Sequence, residues 1–219
     1  MATPKLRFQT ACTHPPPITE TAMTDPAKQQ KRALRRRFRA ARNALSRSER
    51  QRAEREIVRR LKPLVKRGKT IALYFAMGSE ADLSMLLRTA AQRRARIRLP
   101  YIEPGSKRMW FTPCRAGAQA ERKRGRAKLN VPQFAGHRIR ADRLDVMIVP
   151  IVAIDRSGYR LGQAGGYYDA TLAACRFRRP LAVAAGFACQ LADSLPREAH
   201  DIPLDGFVSE RHRLRFTRR

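Results

Sequence analysis

Between Asp155 and Asp169 the sequence reads D-R-S-G-Y-R-L-G-Q-A-G-G-Y-Y-D, and these residue types at this spacing suit an anion. Gly162, Gly165 and Gly166 let backbone amides approach a phosphate closely. A helix entered near Gly166 aims its first N–H groups and the positive end of its dipole at the same place. Arg160 can add a planar, bidentate phosphate donor. Asp169, one turn into that helix, is a carboxylate able to take a magnesium ion bridging phosphates. The segment matches neither G-x-x-x-x-G-K-[ST] nor G-x-G-x-x-G, so neither standard nucleotide fingerprint applies. The competing reading is a tight glycine turn that packs the helix on a sheet, with Tyr167 and Tyr168 as ordinary core aromatics.

The elements that must position this loop follow from periodicity. From Pro26 the pattern is helical: Leu34, Phe38, Ala41 and Leu45 form one apolar stripe on a strongly cationic helix. Ser46 followed by Glu49 is a capping box that opens a second helix, with Ala53, Ile57 and Leu61 on its face and Gly68 closing it. T-I-A-L-Y-F-A-M (70–77) reads as a buried strand, followed by a helix over about 82–95, a strand over 97–102 and a hairpin-like segment around 109–112. In the long apolar run 144–155, Pro150 predicts that the strand ends and the chain bends. Residues 181–188 read as another buried strand. Strands alternating with helices predict an α/β fold, a mainly parallel sheet flanked by helices, with the phosphate loop between a strand and a helix. Residues 1–25 lack hydrophobic periodicity and are expected to be a disordered extension, with Met23 as a candidate start, leaving 26–219 as a single domain.

The chain of 219 residues carries 47 Lys and Arg against 18 Asp and Glu, a formal charge of +29. Such a balance admits nucleic-acid binding, since phosphate neutralisation drives sequence-independent affinity. It also admits a polyanionic small ligand or a merely solvated arginine-rich face. Aromatic residues do not interleave with the basic runs, so no stacking platform for single strands is visible. No run approaches the roughly 18 apolar residues of a spanning helix, and the first residues show no secretory pattern. The four cysteines form no C-x-x-C pair, so neither a disulfide framework nor a zinc site is indicated. The expectation is a cytoplasmic protein with reduced thiols, no membrane partner and a monomeric state.

The segment V-P-I-V-A-I-D-R-S-G-Y-R-L-G-Q-A-G-G-Y-Y-D (149–169) closely resembles the signature of the 5-formyltetrahydrofolate cyclo-ligase (methenyltetrahydrofolate synthetase) family. The resemblance extends to K-R-x-L-R (31–35), Y-F-A-M-x-x-E (74–80) and H-D-I-P-L-D (200–205), in the same order. Ala164 stands where the family usually has glycine, and Ile151 where it has P-G. A positive φ at Ala164 would cost about 1 kcal/mol or more.

The resemblance implies a NagB/CoA-transferase-like three-layer architecture. It also implies an enzyme that uses ATP and Mg²⁺ to convert 5-formyltetrahydrofolate into 5,10-methenyltetrahydrofolate with release of ADP and phosphate. By the same resemblance ATP is bound by Lys31, Arg32, Arg35 and the loop Arg160, Leu161, Gly162, Gln163, Ala164, Gly165, Gly166, Tyr167 and Tyr168. Arg160 and Tyr168 would act catalytically. Asp169 and Asp201 would hold magnesium, with Asp205 as the alternative carboxylate and His200 structural. Phe75 and Glu80 would face the folate, the carboxylate accepting paired hydrogen bonds from an amino-pyrimidine edge. Trp110 would line that pocket or pack in the core, and the basic surface could attract a polyglutamate tail. The alternative is a basic nucleic-acid-binding protein that retains the fold with a weakened site.

Overall fold

The computed structural model describes residues 26–114, 120, 122–124, 131–175 and 178–217. The extension expected over 1–25, and Met23 within it, lie outside the described residues.

Two helices lead, α1 (Pro26–Asn43) and α2 (Arg47–Leu61), the second opened by the expected capping box of Ser46 and Glu49. The chain then runs β1 (Thr70–Ala72), α3 (Ser84–Gln92), β2 (Arg96–Tyr101), β3 (Trp110–Pro113), β4 (Arg122–Arg124) and β5 (Val131–Gln133). It continues through β6 (Val146–Pro150), β7 (Ala153–Asp155), β8 (Arg160–Leu161), α4 (Tyr167–Ala173), β9 (Leu181–Ala185), β10 (Leu191–Ala192), β11 (Gly206–Val208) and β12 (Arg213–Arg215). The main sheet has the order β12-β11-β9-β6-β1-β2-β3. Its five inner strands are parallel, and β12 and β3 close the two edges antiparallel.

Strand alternation sorts the core into two layers. Ile71, Val146, Ile148, Val183 and Ala185 face α2 and α3, where Ile57, Leu61 and Leu86 are fully covered. Ala72, Met147, Val149, Ala182 and Ala184 face the other way, against Leu172 of α4, Phe111 and Ile154. Both faces of the parallel strands are thus buried, which is why these segments read as continuous apolar runs.

Several boundaries differ from the sequence expectation. Only Thr70–Ala72 of the 70–77 run is strand; Tyr74 is buried, but its hydroxyl donates to Ala81 O at 2.7 Å and the backbone curls away. Burial alone makes a strand and a buried loop look alike in sequence. The second helix stops at Leu61 because Pro63 follows, so Gly68 (φ 74°) serves the turn into β1 instead of the helix end. Ala41 is exposed and Arg42 buried, the reverse of the expected stripe, for reasons that lie in the site. Pro150 does end its strand, but the chain bends into a second sheet, β10-β7-β8, which periodicity did not foretell. α1 seats on that small sheet through Phe38 and Leu34, packed with Val152, Ala153 and Leu161.

Candidate active site

The neighbours β1 and β6 run parallel, yet their chains leave toward opposite faces. β1 continues through 73–83 to α3, whereas β6 continues through β7, β8 and the glycine loop to α4. A crevice opens beyond the carboxyl ends of strands at such a reversal. Here it sets the segment carrying Phe75 and Glu80 beside the segment carrying Arg160–Tyr168. Two stretches about 85 residues apart in sequence thereby share one site.

The glycine loop has the conformations its composition anticipates. Gly166 (φ 68°) precedes α4, and a Cβ added at Gly166 or at Gly162 would meet no atom within 4 Å among the described residues. A Cβ on Gly165 would lie 2.7 Å from the Tyr167 ring, so this position admits glycine only while that ring stays in place. Ala164 is exposed with φ 74°, the left-handed region where a Cβ is strained. α4 is only 7 residues long, so its dipole is short, and most positive charge at the loop comes from α1 instead.

Four cations spaced 4, 4 and 3 along α1 form its inner face. Lys31 Nζ donates to Glu198 Oε2 at 2.7 Å and Asp201 Oδ2 at 3.0 Å. Arg35 Nε donates to Gly162 O at 2.8 Å, and the Arg39 guanidinium donates to Gln163 Oε1. Arg42 Nε donates to Ser79 Oγ at 2.9 Å, while Arg50 of α2 donates to Ser79 O at 2.6 Å. One helix therefore holds the 198–201 loop, the glycine loop and the segment before Glu80. Burial alone would pull the Lys31 ammonium down, but its bonds to Glu198 and Asp201 prevail and raise its pKa. Burial lowers Arg35 and Arg42. Arg32 points outward and is exposed, so of the three expected N-terminal cations the structure brings in two. Arg39 and Arg42 were missed, although continuing the spacing from Lys31 and Arg35 would have reached them.

Arg160 and Asp169 meet each other. Two parallel bonds of 2.8 Å join the guanidinium to both carboxylate oxygens, with the side chains 5% and 15% exposed. Asp169 also accepts from Ile202 N–H at 3.2 Å, tying α4 to the 198–202 loop. The phosphate donor and the magnesium ligand expected from sequence thus form a nearly buried ion pair with each other. Tyr168 lies under Arg160 (5.7 Å from guanidinium carbon to ring centre), and burial pushes its phenol pKa up, so the hydroxyl stays protonated.

A magnesium ion prefers oxygen donors. Glu198, His200 and Asp201 place one ligand atom each within 4.8 Å of one another. The two carboxylates suit that ion and the imidazole does not; both also accept from Lys31 Nζ, so a magnesium ion held there would have to displace that ammonium. Glu198 was not singled out from sequence, although it lies three residues before Asp201 and accepts from the same lysine. His200 is exposed at the rim. Asp205, the alternative carboxylate, is buried and accepts from Ala182 N–H at 2.7 Å between strands.

On the other side of the crevice, Glu80 is 9% exposed. Its Oε2 accepts from Met77 N–H at 3.1 Å, and its Oε1 from Gln163 Nε2 at 3.4 Å. Burial raises its pKa against the opposing pull of these bonds and of Arg42. Phe75, five residues earlier, is 46% exposed, unusual for so large an apolar ring. Trp110 lies on the edge strand β3, its indole N–H on Glu103 at 2.9 Å and Arg140 over its ring, held by these partners instead of by the site residues.

The profile of the 5-formyltetrahydrofolate cyclo-ligase family matches residues 27–210. The 5-formyltetrahydrofolate cyclo-ligase of Haemophilus influenzae is 28% identical over 182 residues, covering 80% of this chain and 95% of that protein. The Escherichia coli K12 protein of the same name is 33% identical over 149 residues, covering 67% and 81%. Among solved structures, the NMR structure of Aquifex aeolicus 5,10-methenyltetrahydrofolate synthetase superimposes with a TM-score of 0.69 at 31% identity, covering 84% of this chain and 92% of that one. The Mycoplasma pneumoniae synthetase shares the fold, with a TM-score of 0.66 at 22% identity and coverage of 82% and 98%. The match spans the glycine loop, the α1 cations and the Glu80 segment alike, and the chain belongs to the 5-formyltetrahydrofolate cyclo-ligase family.

Proposed function

We propose that the chain is an ATP-dependent enzyme that converts 5-formyltetrahydrofolate to 5,10-methenyltetrahydrofolate, releasing ADP and phosphate. The observation that carries this reading is the meeting of an anion-suited glycine loop, four cations of α1 and a buried carboxylate at one strand-reversal crevice, in a chain of this family. The folate occupies the Glu80 side: the carboxylate accepts from the amino-pyrimidine edge, and the exposed ring of Phe75 gives apolar contact. The nucleotide phosphates occupy the loop from Gly162 to Gly166, with Lys31 and Arg35 supplying charge. Asp201 and Glu198 would hold the magnesium carried with ATP, which would neutralise phosphate charge.

Chemically, the formyl oxygen attacks the terminal phosphorus and ADP leaves with the electrons of the broken P–O bond. N10 then attacks the activated carbon, the C–O bond breaks and phosphate departs. N10 loses its proton as the methenyl bridge forms. Such a transfer needs positioning and charge neutralisation, not a nucleophilic triad. Arg160, fixed by Asp169, holds the start of the loop and keeps positive charge beside it. Tyr168 offers a neutral hydroxyl as donor.

The same reading takes the fold as the NagB/CoA-transferase-like three-layer architecture, supported by the two helical layers on the parallel sheet. It includes a polyglutamylated substrate, since Lys28, Arg32 and Arg36 line the exposed side of α1, which has no acidic residue. The test is an absorbance assay with purified protein, MgATP and (6S)-5-formyltetrahydrofolate. ATP-dependent appearance of the methenyl product is expected. ATP binding without product would point to a different substrate, and tight, steeply salt-dependent RNA binding without turnover would favour the basic nucleic-acid reading.

A further inference from the structure

The Gln163 side chain touches both halves of the crevice. Its carbonyl oxygen accepts from Arg39, on the side of α1 that holds the glycine loop. Its amide nitrogen donates to Glu80 Oε1 at 3.4 Å, on the folate side. These partners fix the amide's orientation, because guanidinium can only donate and a carboxylate only accept. Gln163 also lies between Gly162, whose carbonyl accepts from Arg35, and Ala164, whose left-handed backbone shapes the loop.

From this arrangement we infer that Gln163 is a positioning residue that couples the two binding sites, so that each ligand tightens the binding of the other. The inference rests on the proposed function for the identity of the two ligands. Without ligands the Arg39–Gln163–Glu80 chain is closed. A folate whose amino edge engages both oxygens of Glu80 displaces the Gln163 amide. A nucleotide whose phosphates engage Arg39 displaces it from the other end. Once the side chain swings out, both of its bonds are lost together, so the first ligand bears the whole cost and the second meets an open chain. Two hydrogen bonds involving charged partners, lost together, give a coupling of at least about tenfold in affinity. By reciprocity the factor is the same whichever ligand binds first.

The experiment is calorimetric titration of wild type with a non-hydrolysable β,γ-imido analogue of MgATP, with and without saturating 5-formyltetrahydrofolate, and of the reverse pair. The same titrations follow on Gln163→Met, close in length but without the amide, and on Gln163→Ala, each checked for a cooperative melt. Wild type is expected to bind the nucleotide at least about tenfold more tightly when folate is present. Both variants are expected to bind each ligand alone as tightly as wild type binds it in the presence of the other, with a coupling factor near one. A side chain that merely braced the loop would instead weaken both ligands when removed. That outcome, or absent coupling in wild type, or unchanged coupling in the variants, overturns the inference while both ligands still bind. Failure of wild type to bind either ligand overturns the functional reading itself, and the inference with it.

Discussion

The Arg160–Asp169 pair gives the sharpest prediction, because it separates a carboxylate that holds the fold from one that waits for metal. Asp169→Asn preserves volume and removes charge. The guanidinium it leaves is 5% exposed, has two bonds of 2.8 Å to the lost carboxylate, and has a buried Nε without a hydrogen-bond partner among the described residues. Water cannot readily replace the missing partner. Removing one member of a buried, well-aligned ion pair costs about 3–5 kcal/mol. For a chain of this size, with about 2–4 °C per kcal/mol, the melting temperature should fall by roughly 6–20 °C. Arg160→Met combined with Asp169→Leu should recover most of that loss, since well-packed apolar replacements of buried ion pairs are often neutral. The assay is a thermal melt followed by circular dichroism, with a double-mutant cycle over the two positions. The reasoning is refuted if Asp169→Asn melts within about 2 °C of wild type. An additional loss of magnesium dependence in such a variant would return Asp169 to the role of open metal ligand.

Three further outcomes follow from the geometry. Burial raises the Glu80 pKa in the folded chain, so the folded state holds the proton more tightly than the unfolded one. That group therefore contributes stability at low pH that is lost as pH rises above the ordinary value of 4.5 through the raised one. Glu80→Gln should be more stable than wild type near neutral pH and show a flatter pH dependence in urea unfolding above pH 4.5, while folate binding weakens. Phe75 is 46% exposed, so Phe75→Ala should leave the melting temperature nearly unchanged yet raise KM for folate about tenfold, an effect absent if the ring touches nothing in the complex. Ala164→Gly relieves a left-handed alanine at the expense of unfolded-state entropy, a net gain of about 0.5–1 kcal/mol; Ala164→Val should lose stability, and equal melts for both would contradict the strain.

The parts of this protein that sequence determined are those in which neighbouring residues suffice. The capping box of Ser46 and Glu49 forms between residues three apart, and the alternation of 146–149 between the two core layers follows from strand geometry alone. The glycine loop likewise flagged Ala164 in a few consecutive letters, and the structure gives that alanine φ 74°. The other determinations needed distant chain. Whether 70–77 was strand or buried loop depended on where its backbone bonds went, and Glu80's own carboxylate closes the turn at Met77 N–H. Arg42 is buried and Ala41 exposed because Ser79 and Ile151 O lie beside the arginine, partners no helical period contains. Asp169 reads as a free carboxylate until the fold brings Arg160 against it across the loop. Above all, the reversal between β1 and β6 is a property of strand order. Only the assembled sheet could place Glu80 and Gln163 in contact, because hydrogen-bond pairing between remote strands, not local propensity, sets which loops share a crevice.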